Sequence, residues 1–483
     1  MNVFDLFAKH DPDKVAIVCG AEKQTYGDLN ARVASGRAAL RGQLQPGANV
    51  VVLGDSSIDF IAAVLTALSA GLAVVPLHTR HPRGEIEHAV NLARPRLIIS
   101  TDNAAQSLAQ GLGADQVSAA ELFATQPSEP MPIVALKAND PALLMFTSGT
   151  AGSPRIATLS HGNVMASIEH SLAAAGAFSR ERQVVLGVIP FTHVLGIVSV
   201  VGFTLAAGST LVLTPSVDAL AVADIIAANG VTFLVAPPVF WYRLTTAGVD
   251  PAKLGSVKVA MSGAAPLSGS IARALAEQFD INIRQGYGLT EASPGLTSSV
   301  GTDAPPTSVG RPLPGVQLRL VDEFGDDALV GDVGEVWAKG DNIFSGYLGD
   351  PEATAMVIDD AGWLHTGDLA VVDESGFLFI VGRNKDQIIV SGFNVHPGEV
   401  EERLSEHHSV ASAAVVGEPD REYGEVIVAY VVGAAGMVPD ADVLEAHCRK
   451  RLAGYKVPRR FEFVDELPRG MTGKVRRRVL RNS

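Results

Sequence analysis

Phe146-Thr147-Ser148-Gly149-Thr150-Ala151-Gly152-Ser153-Pro154-Arg155 follows a short apolar run, Ala142–Phe146, that reads as a buried strand. A strand running into a turn of hydroxyls and glycines is suited to cradle phosphate. Glycines let the backbone approach a ligand, hydroxyls donate hydrogen bonds, and Arg155 supplies positive charge. The turn is not a Walker A loop, because GxxxxGK[ST] is absent. Taken alone, it is also readable as a Ser/Gly/Thr surface turn, so its surroundings have to decide.

Working outward, apolar strands at Asn49–Leu53, Leu97–Ser100, Gln183–Val188 and Phe233–Ala236 alternate with helical patterns. Phe60–Leu77 reads as an Ala/Leu/Val helix, a stop at Ala70-Gly71, and a buried strand, the pattern of a parallel α/β sheet. Val194–Leu213 carries no charge over 20 residues, but Ala207-Gly208-Ser209 interrupts it and Thr210–Leu213 resumes as a strand. It is therefore read as core rather than as a membrane span. Around Val316–Val321 and Gly334–Ala338 the intervening helices disappear, which predicts a small β-rich lobe. After Arg383 the pattern changes again: a strand at Asp386–Val390, a turn at Ser391–Asn394, an acidic helix opened by Pro397, strands at Ser412–Val416 and Val426–Val432, and a helix at Ala441–Leu452. The expected fold class is α/β, with a large multi-lobed unit over residues 1–383 and a small α+β unit over residues 384–483.

Composition supports a multi-domain globular chain. Of 483 residues, 47% are hydrophobic and 19% charged, and the formal net charge is −14. An acidic surface argues against nucleic acid as a partner. The two cysteines, Cys19 and Cys448, lie near opposite ends; with no CxxC pair and no HExxH, a reduced cytoplasmic setting without structural zinc is expected. Met1–Lys14 lacks the unbroken apolar stretch of a signal peptide.

The opening stretch resembles the phosphate-binding signature of the adenylate-forming superfamily, which contains acyl-CoA synthetases, adenylation domains and beetle luciferases. Four further matches follow in the family's order: Gln285-Gly286-Tyr287-Gly288-Leu289-Thr290-Glu291, Trp363-Leu364-His365-Thr366-Gly367-Asp368, Gly382-Arg383-Asn384-Lys385-Asp386, and Pro468-Arg469-Gly470-Met471-Thr472-Gly473-Lys474. The resemblance implies ATP, Mg²⁺ and coenzyme A, a small-molecule carboxylic acid as substrate, and a mobile C-terminal domain. It implies a nucleotide site made of Thr147, Ser148, Gly149, Thr150, Gly152, Arg155, Gly263, Ala264, Ala265, Gln285, Gly286, Tyr287, Gly288, Thr290, Asp368 and Arg383. Within it Tyr287 would pack on adenine, Asp368 would hold the ribose hydroxyls and Thr290 the α-phosphate. Glu291 would hold Mg²⁺, Lys474 would stand between substrate carboxylate and α-phosphate, and Lys385 would be the hinge. Ser391, Gly392 and Phe393 would line the pantetheine tunnel.

Two departures stand out. The family usually closes its phosphate loop with Pro-Lys-Gly, whereas this chain has Pro154-Arg155-Ile156, and Ala151 replaces a common Thr. For the acid, Pro190-Phe191-Thr192-His193-Val194-Leu195-Gly196 resembles the acyl-CoA synthetase form of a motif beside the acyl pocket. His193 is a candidate for that pocket and for catalysis; Val239 and Gly288, with Phe240 and Trp241, are candidate pocket walls. No Asp lies in Phe191–Gly196 to grip an amino-acid ammonium, and the neutral Gln285, although preceded by Arg284, occupies the neighbourhood of the Tyr-Gly motif where malonate-type relatives are expected to carry Arg. An apolar fatty or aryl monocarboxylic acid is expected, with CoA as acceptor. The alternatives are a stand-alone adenylating enzyme loading a carrier protein, and a degenerate regulatory protein.

Overall fold

The computed structural model describes residues 1–40, 42–124, 131–147, 155–391, 393–470 and 474–481. The phosphate-loop candidates Ser148, Gly149, Thr150 and Gly152 lie outside the described residues, as does the tunnel candidate Gly392.

Two sheets carry the larger part of the chain. The first has six strands in the order Asp115–Ser118, Leu97–Ser100, Asn49–Leu53, Ala73–Leu77, Pro141–Thr147, Arg155–Ser160; all neighbours are parallel except the last pair. The second has nine, with a parallel centre running Val259–Ser262, Phe233–Ala236, Val184–Gly187, Thr210–Leu213, Val15–Cys19. Helix Ile58–Ser69 illustrates how sequence builds this core. Ser57 caps it by accepting from the Phe60 N–H at 3.1 Å, every residue but Asp59 is buried, and Gly71 at φ +78° turns the chain into strand Ala73–Leu77.

The uncharged stretch after Val194 is core. Leu195–Gly202 forms a wide π-helical segment, Phe203–Ala206 continues it as α-helix, and Thr210–Leu213 is a fully buried strand. Among the described residues no helix is long and apolar enough to cross a membrane.

A four-stranded antiparallel sheet follows, Gln317–Val321, Gly334–Lys339, Leu364–Val372 and Leu378–Arg383. The last hundred residues build a separate sheet in which Val410–Asp420 and Gly424–Gly433 form a long hairpin, flanked by Ile388–Val390, Phe393–Val395 and Arg460–Phe463. Helices Pro397–Ser405 and Ala441–Arg449 share one core with this sheet, through Val400, Leu404, Leu444 and Cys448. Two local expectations are corrected here. Asn384–Asp386 is a 3₁₀ turn, so the strand starts at Ile388, and the turn is confined to the neighbourhood of Ser391 (φ +51°), because Phe393 already pairs with Val390. Tertiary pairing across this short hairpin outweighs the turn propensity of Ser391–Asn394.

Candidate active site

The carboxyl ends of the parallel strands deliver the candidate groups, as expected for ligand sites of α/β sheets. Thr147 ends one strand and pairs with Arg155 across the antiparallel edge, its hydroxyl donating to the Arg155 carbonyl at 3.3 Å. Ser262 ends another, followed by Gly263 and by Ala264, a non-glycine residue at φ +70°. Such backbone strain in a loop is worth of order 1–3 kcal/mol and persists where the surroundings enforce it. Gly263 makes room for a side chain of the protein: a Cβ there would come within 3.0 Å of Leu195 Cδ2. The loop that follows Ser262 therefore rests on the segment that carries His193.

The strand Arg284–Gly288 runs into the 3₁₀ turn Thr290–Ala292. Gly288 is obligatory for steric reasons, since a Cβ would sit 1.9 Å from the Pro294 carbonyl oxygen. The Leu289 N–H donates to that same oxygen at 3.0 Å, which fixes the backbone entering Thr290 and Glu291. Gln285 is placed differently from the expectation of a nucleotide contact. It is buried, its Oε1 accepts from the Leu267 N–H at 3.3 Å and its Nε2 donates to the Pro306 carbonyl at 2.6 Å. Both ends of its amide brace backbone.

Three motif residues from distant positions form one cluster. Tyr287 Oη donates to Asp368 Oδ2 at 2.8 Å, and Arg383 Nε lies 2.6 Å from Asp368 Oδ1. Burial and the neighbouring Asp368 charge hold the Tyr287 phenol well above the usual tyrosine range, so it stays a proton donor. Burial works against the Arg383 charge, but Asp368 outweighs it and the guanidinium is held more firmly protonated.

Glu291 accepts from Tyr347 Oη at 2.8 Å through Oε1. Among the described residues no three His, Cys, Asp or Glu side chains converge to hold a metal. A single carboxylate fits Mg²⁺, which keeps several waters and is otherwise held by phosphates. Arg155, expected to face phosphate, instead has Nε 3.0 Å from Asp350 Oδ2, with its guanidinium 5.5 Å from the centre of the Tyr347 ring.

His193 is half-buried, and its Nδ1 accepts from the Leu195 N–H at 3.3 Å, which leaves Nε2 as the protonated nitrogen of the neutral ring. Burial, and then the positive charge of Lys474, pull its pKa down to about 4. The C-terminal lysine thus lies within electrostatic reach of the His193 loop. Lys474 lies on a stretch that pairs back on Pro468–Gly470: its carbonyl accepts from the Gly470 N–H at 2.8 Å, and the Arg476 N–H donates to the Pro468 carbonyl at 2.7 Å. Arg477 ties this stretch down, with Nη2 at 2.8 Å from both Glu401 oxygens and Nη1 at 3.5 Å from Asp386.

The family model for AMP-binding enzymes matches residues 4–348, and the model for the C-terminal domain of AMP-binding enzymes matches residues 399–474. The chain belongs to the AMP-binding enzyme family. It is 35% identical over 481 residues to a feruloyl-CoA synthase of an Amycolatopsis species, covering 97% of this chain and 95% of that one. It is 32% identical to a long-chain-fatty-acid–CoA ligase of Bacillus subtilis, covering 97% and 91%. The crystal structure of ATP-bound MatB from Rhodopseudomonas palustris superposes with a TM-score of 0.92 at 31% identity, covering 100% of this chain and 99% of that one. AMP-forming CoA ligases of this kind use ATP, CoA and Mg²⁺.

In this AMP-binding enzyme the pocket-wall candidates divide. Val239 is half-buried, but Phe240 and Trp241 are buried in the second hydrophobic core, with Trp241 Nε1 donating to the Ala236 carbonyl at 3.0 Å. The helical period of Pro238–Thr246 turns both aromatics inward. Phe393 is exposed and stacks on Tyr455 at 4.6 Å between ring centres. Around Lys385, Glu335 accepts from the Gly367 N–H at 3.0 Å and from Asn384 Nδ2 at 2.8 Å. Tyr347, Asp350, Glu335, Glu401 and Arg477 were missed by sequence reasoning. Asp350-Pro351 did signal a helix start, but no local pattern tells which carboxylate a tyrosine 56 positions away will meet.

Proposed function

We propose that this enzyme is an AMP-forming acid–CoA ligase for an apolar fatty or aryl monocarboxylic acid, with the C-terminal domain beginning at Asn384. The observation supporting this reading is that Lys474 lies within electrostatic reach of His193, as a cation that draws two anions together beside that loop would have to.

A carboxylate is already ionised at neutral pH and needs no general base. Its oxygen attacks the α-phosphorus in line, a P–O bond forms, and the bond to pyrophosphate breaks. Lys474 neutralises the approach of carboxylate to phosphate and the charge that spreads over the phosphoryl oxygens. His193, neutral at this pH, donates from Nε2 without adding a second cation. Asp368, held by Tyr287 and Arg383, is a fixed acceptor for ribose hydroxyls. Thr290 supplies a hydroxyl beside the phosphate, and Glu291 is the carboxylate that would hold Mg²⁺, which neutralises phosphate charge when bound. In the second step the thiol sulfur attacks the acyl carbon, AMP leaves, and the thiol proton passes to solvent. A rotation about Lys385 that withdraws Lys474 and brings in Ser391 and Phe393 accounts for one protein running both steps.

The wall beside His193 favours an apolar acid. Leu195–Gly202 carries no charged side chain. The test is thioester yield across fatty, aryl, amino and dicarboxylic acids, with ATP, Mg²⁺ and either CoA or a holo carrier protein. Apolar acids with CoA should give acyl-CoA and stoichiometric pyrophosphate. Thioester on the carrier alone, or with charged acids alone, would overturn the reading.

A further inference from the structure

The Pro154-Arg155-Ile156 end of the phosphate loop carries Arg where a loop cation is expected to face phosphate, yet that side chain is already engaged elsewhere. Three observations converge on what it does instead. The segment 345–348 lies along strand Arg155–Ser160 like an added strand: Ser345 N–H donates to the Thr158 carbonyl at 2.9 Å, Thr158 N–H to Gly346 at 2.9 Å, and Leu348 N–H to Ile156 at 2.8 Å. This fixes Tyr347 beside the stem of the phosphate loop. The same segment is tied to the Glu291 turn, because the Phe344 N–H donates to the Glu291 carbonyl at 2.9 Å. Finally, Tyr347 Oη donates to Glu291 Oε1 at 2.8 Å, while the ring lies under the Arg155 guanidinium and the Arg155–Asp350 pair closes over it.

A carboxylate that must hold a metal gains from losing its rotational freedom before the metal arrives. Glu291 has one oxygen committed to Tyr347. Asp350 is itself anchored as the cap of helix Pro351–Ala355, accepting from the Ala353 N–H at 2.9 Å. The series Asp350, Arg155, Tyr347, Glu291 thus runs from a helix terminus to the metal carboxylate through contacts that each fix the next.

We propose that Tyr347 is a positioning residue that orients Glu291 for the Mg²⁺–nucleotide, and that Arg155 serves in this chain to hold Tyr347 rather than to bind phosphate. The inference rests on the reading of Glu291 as the metal carboxylate. Arg is suited to the task and Lys is not, because a planar guanidinium can pair with a carboxylate and lie over a ring at once.

The experiment titrates Mg²⁺ in acid-dependent ATP–pyrophosphate exchange for wild type, Tyr347→Phe, Arg155→Met and Glu291→Gln. In parallel, Mn²⁺ binding is followed by electron paramagnetic resonance with a non-hydrolysable ATP analogue present. Tyr347→Phe should raise the half-saturating Mg²⁺ concentration about tenfold, the scale of one hydrogen bond to a charged group, and weaken Mn²⁺ binding in parallel, while kcat at saturating Mg²⁺ falls far less. Arg155→Met should shift the Mg²⁺ requirement in the same direction with little change in KM for ATP. In the Glu291→Gln background, Tyr347→Phe should add nothing. A Tyr347→Phe protein whose Mg²⁺ requirement and Mn²⁺ affinity match wild type sinks the inference alone, as does an Arg155→Met protein that loses ATP affinity without a metal effect. If Glu291→Gln itself leaves the metal requirement unchanged, the metal assignment falls and this inference falls with it.

Discussion

Arg383 stands directly across its strand pair from Asp368 and holds the carboxylate with Nε 2.6 Å from Oδ1. The pair joins the Trp363–Asp368 motif to a residue two positions before the proposed hinge, Lys385. Tyr287, from a third motif, donates to the other oxygen at 2.8 Å. One carboxylate therefore organises three stretches that are far apart in sequence.

Replacing that carboxylate has two separable effects. Asp368→Asn should raise KM for ATP at least about tenfold, because an amide cannot accept from two ribose hydroxyls while satisfying Tyr287 and Arg383. It should also cost about 2 kcal/mol of stability, since Arg383 loses its counter-charge in a half-buried site. Initial-rate kinetics and urea unfolding measure the two. An unchanged KM would mean that the cluster braces structure and does not touch nucleotide.

Lys474→Ala should lower acid-dependent pyrophosphate release by a factor on the order of 10²–10³, the cost of removing one charge aimed at the transition state. Thioester formation from a supplied acyl-adenylate should be largely spared. Equal loss of both steps would misassign the lysine.

Gly288→Ala tests whether the turn into Thr290 and Glu291 has to be this tight. A Cβ 1.9 Å from the Pro294 carbonyl forces the backbone to move. Displacing catalytic groups by about 1 Å costs roughly a hundredfold in rate. We expect kcat/KM to fall by about that factor, with a lower Tm. Activity within threefold of wild type would show that the strand end relaxes freely.

Acid should weaken the fold through His161. This ring is fully buried, its Nδ1 accepts from the Val3 N–H at 3.1 Å, and its Nε2 has no described partner. Burial brings its pKa down to about 4 from the ordinary 6.5. The unfolded chain then binds a proton that the folded one refuses between those values, so stability rises with pH across that window and is lost as pH falls from about 6.5 towards 4. The full effect is about 3 kcal/mol. His161→Gln, which keeps an acceptor for Val3, should flatten the dependence of unfolding free energy on pH in this range; an unaltered slope would place the acid sensitivity elsewhere.

What the amino-acid sequence determined by itself was local. The helix Ile58–Ser69, its glycine stop and the strand Ala73–Leu77 follow from periodicity and capping, whose physics acts over a few neighbouring residues. Reading Val194–Leu213 as core succeeded for the same reason: Ala207-Gly208-Ser209 interrupts it in the chain itself. The five ordered motifs carried the family resemblance because each lies within one short stretch of sequence. Tertiary structure decided the partnerships. Phe240 and Trp241 turned into a core instead of a pocket, Gln285 turned to the backbone of Leu267 and Pro306, and Arg155 turned to Asp350, 195 positions away. Which carboxylate a cation meets depends on how the sheets and loops are stacked. Stacking sums many weak non-local contacts, and no window of sequence contains them.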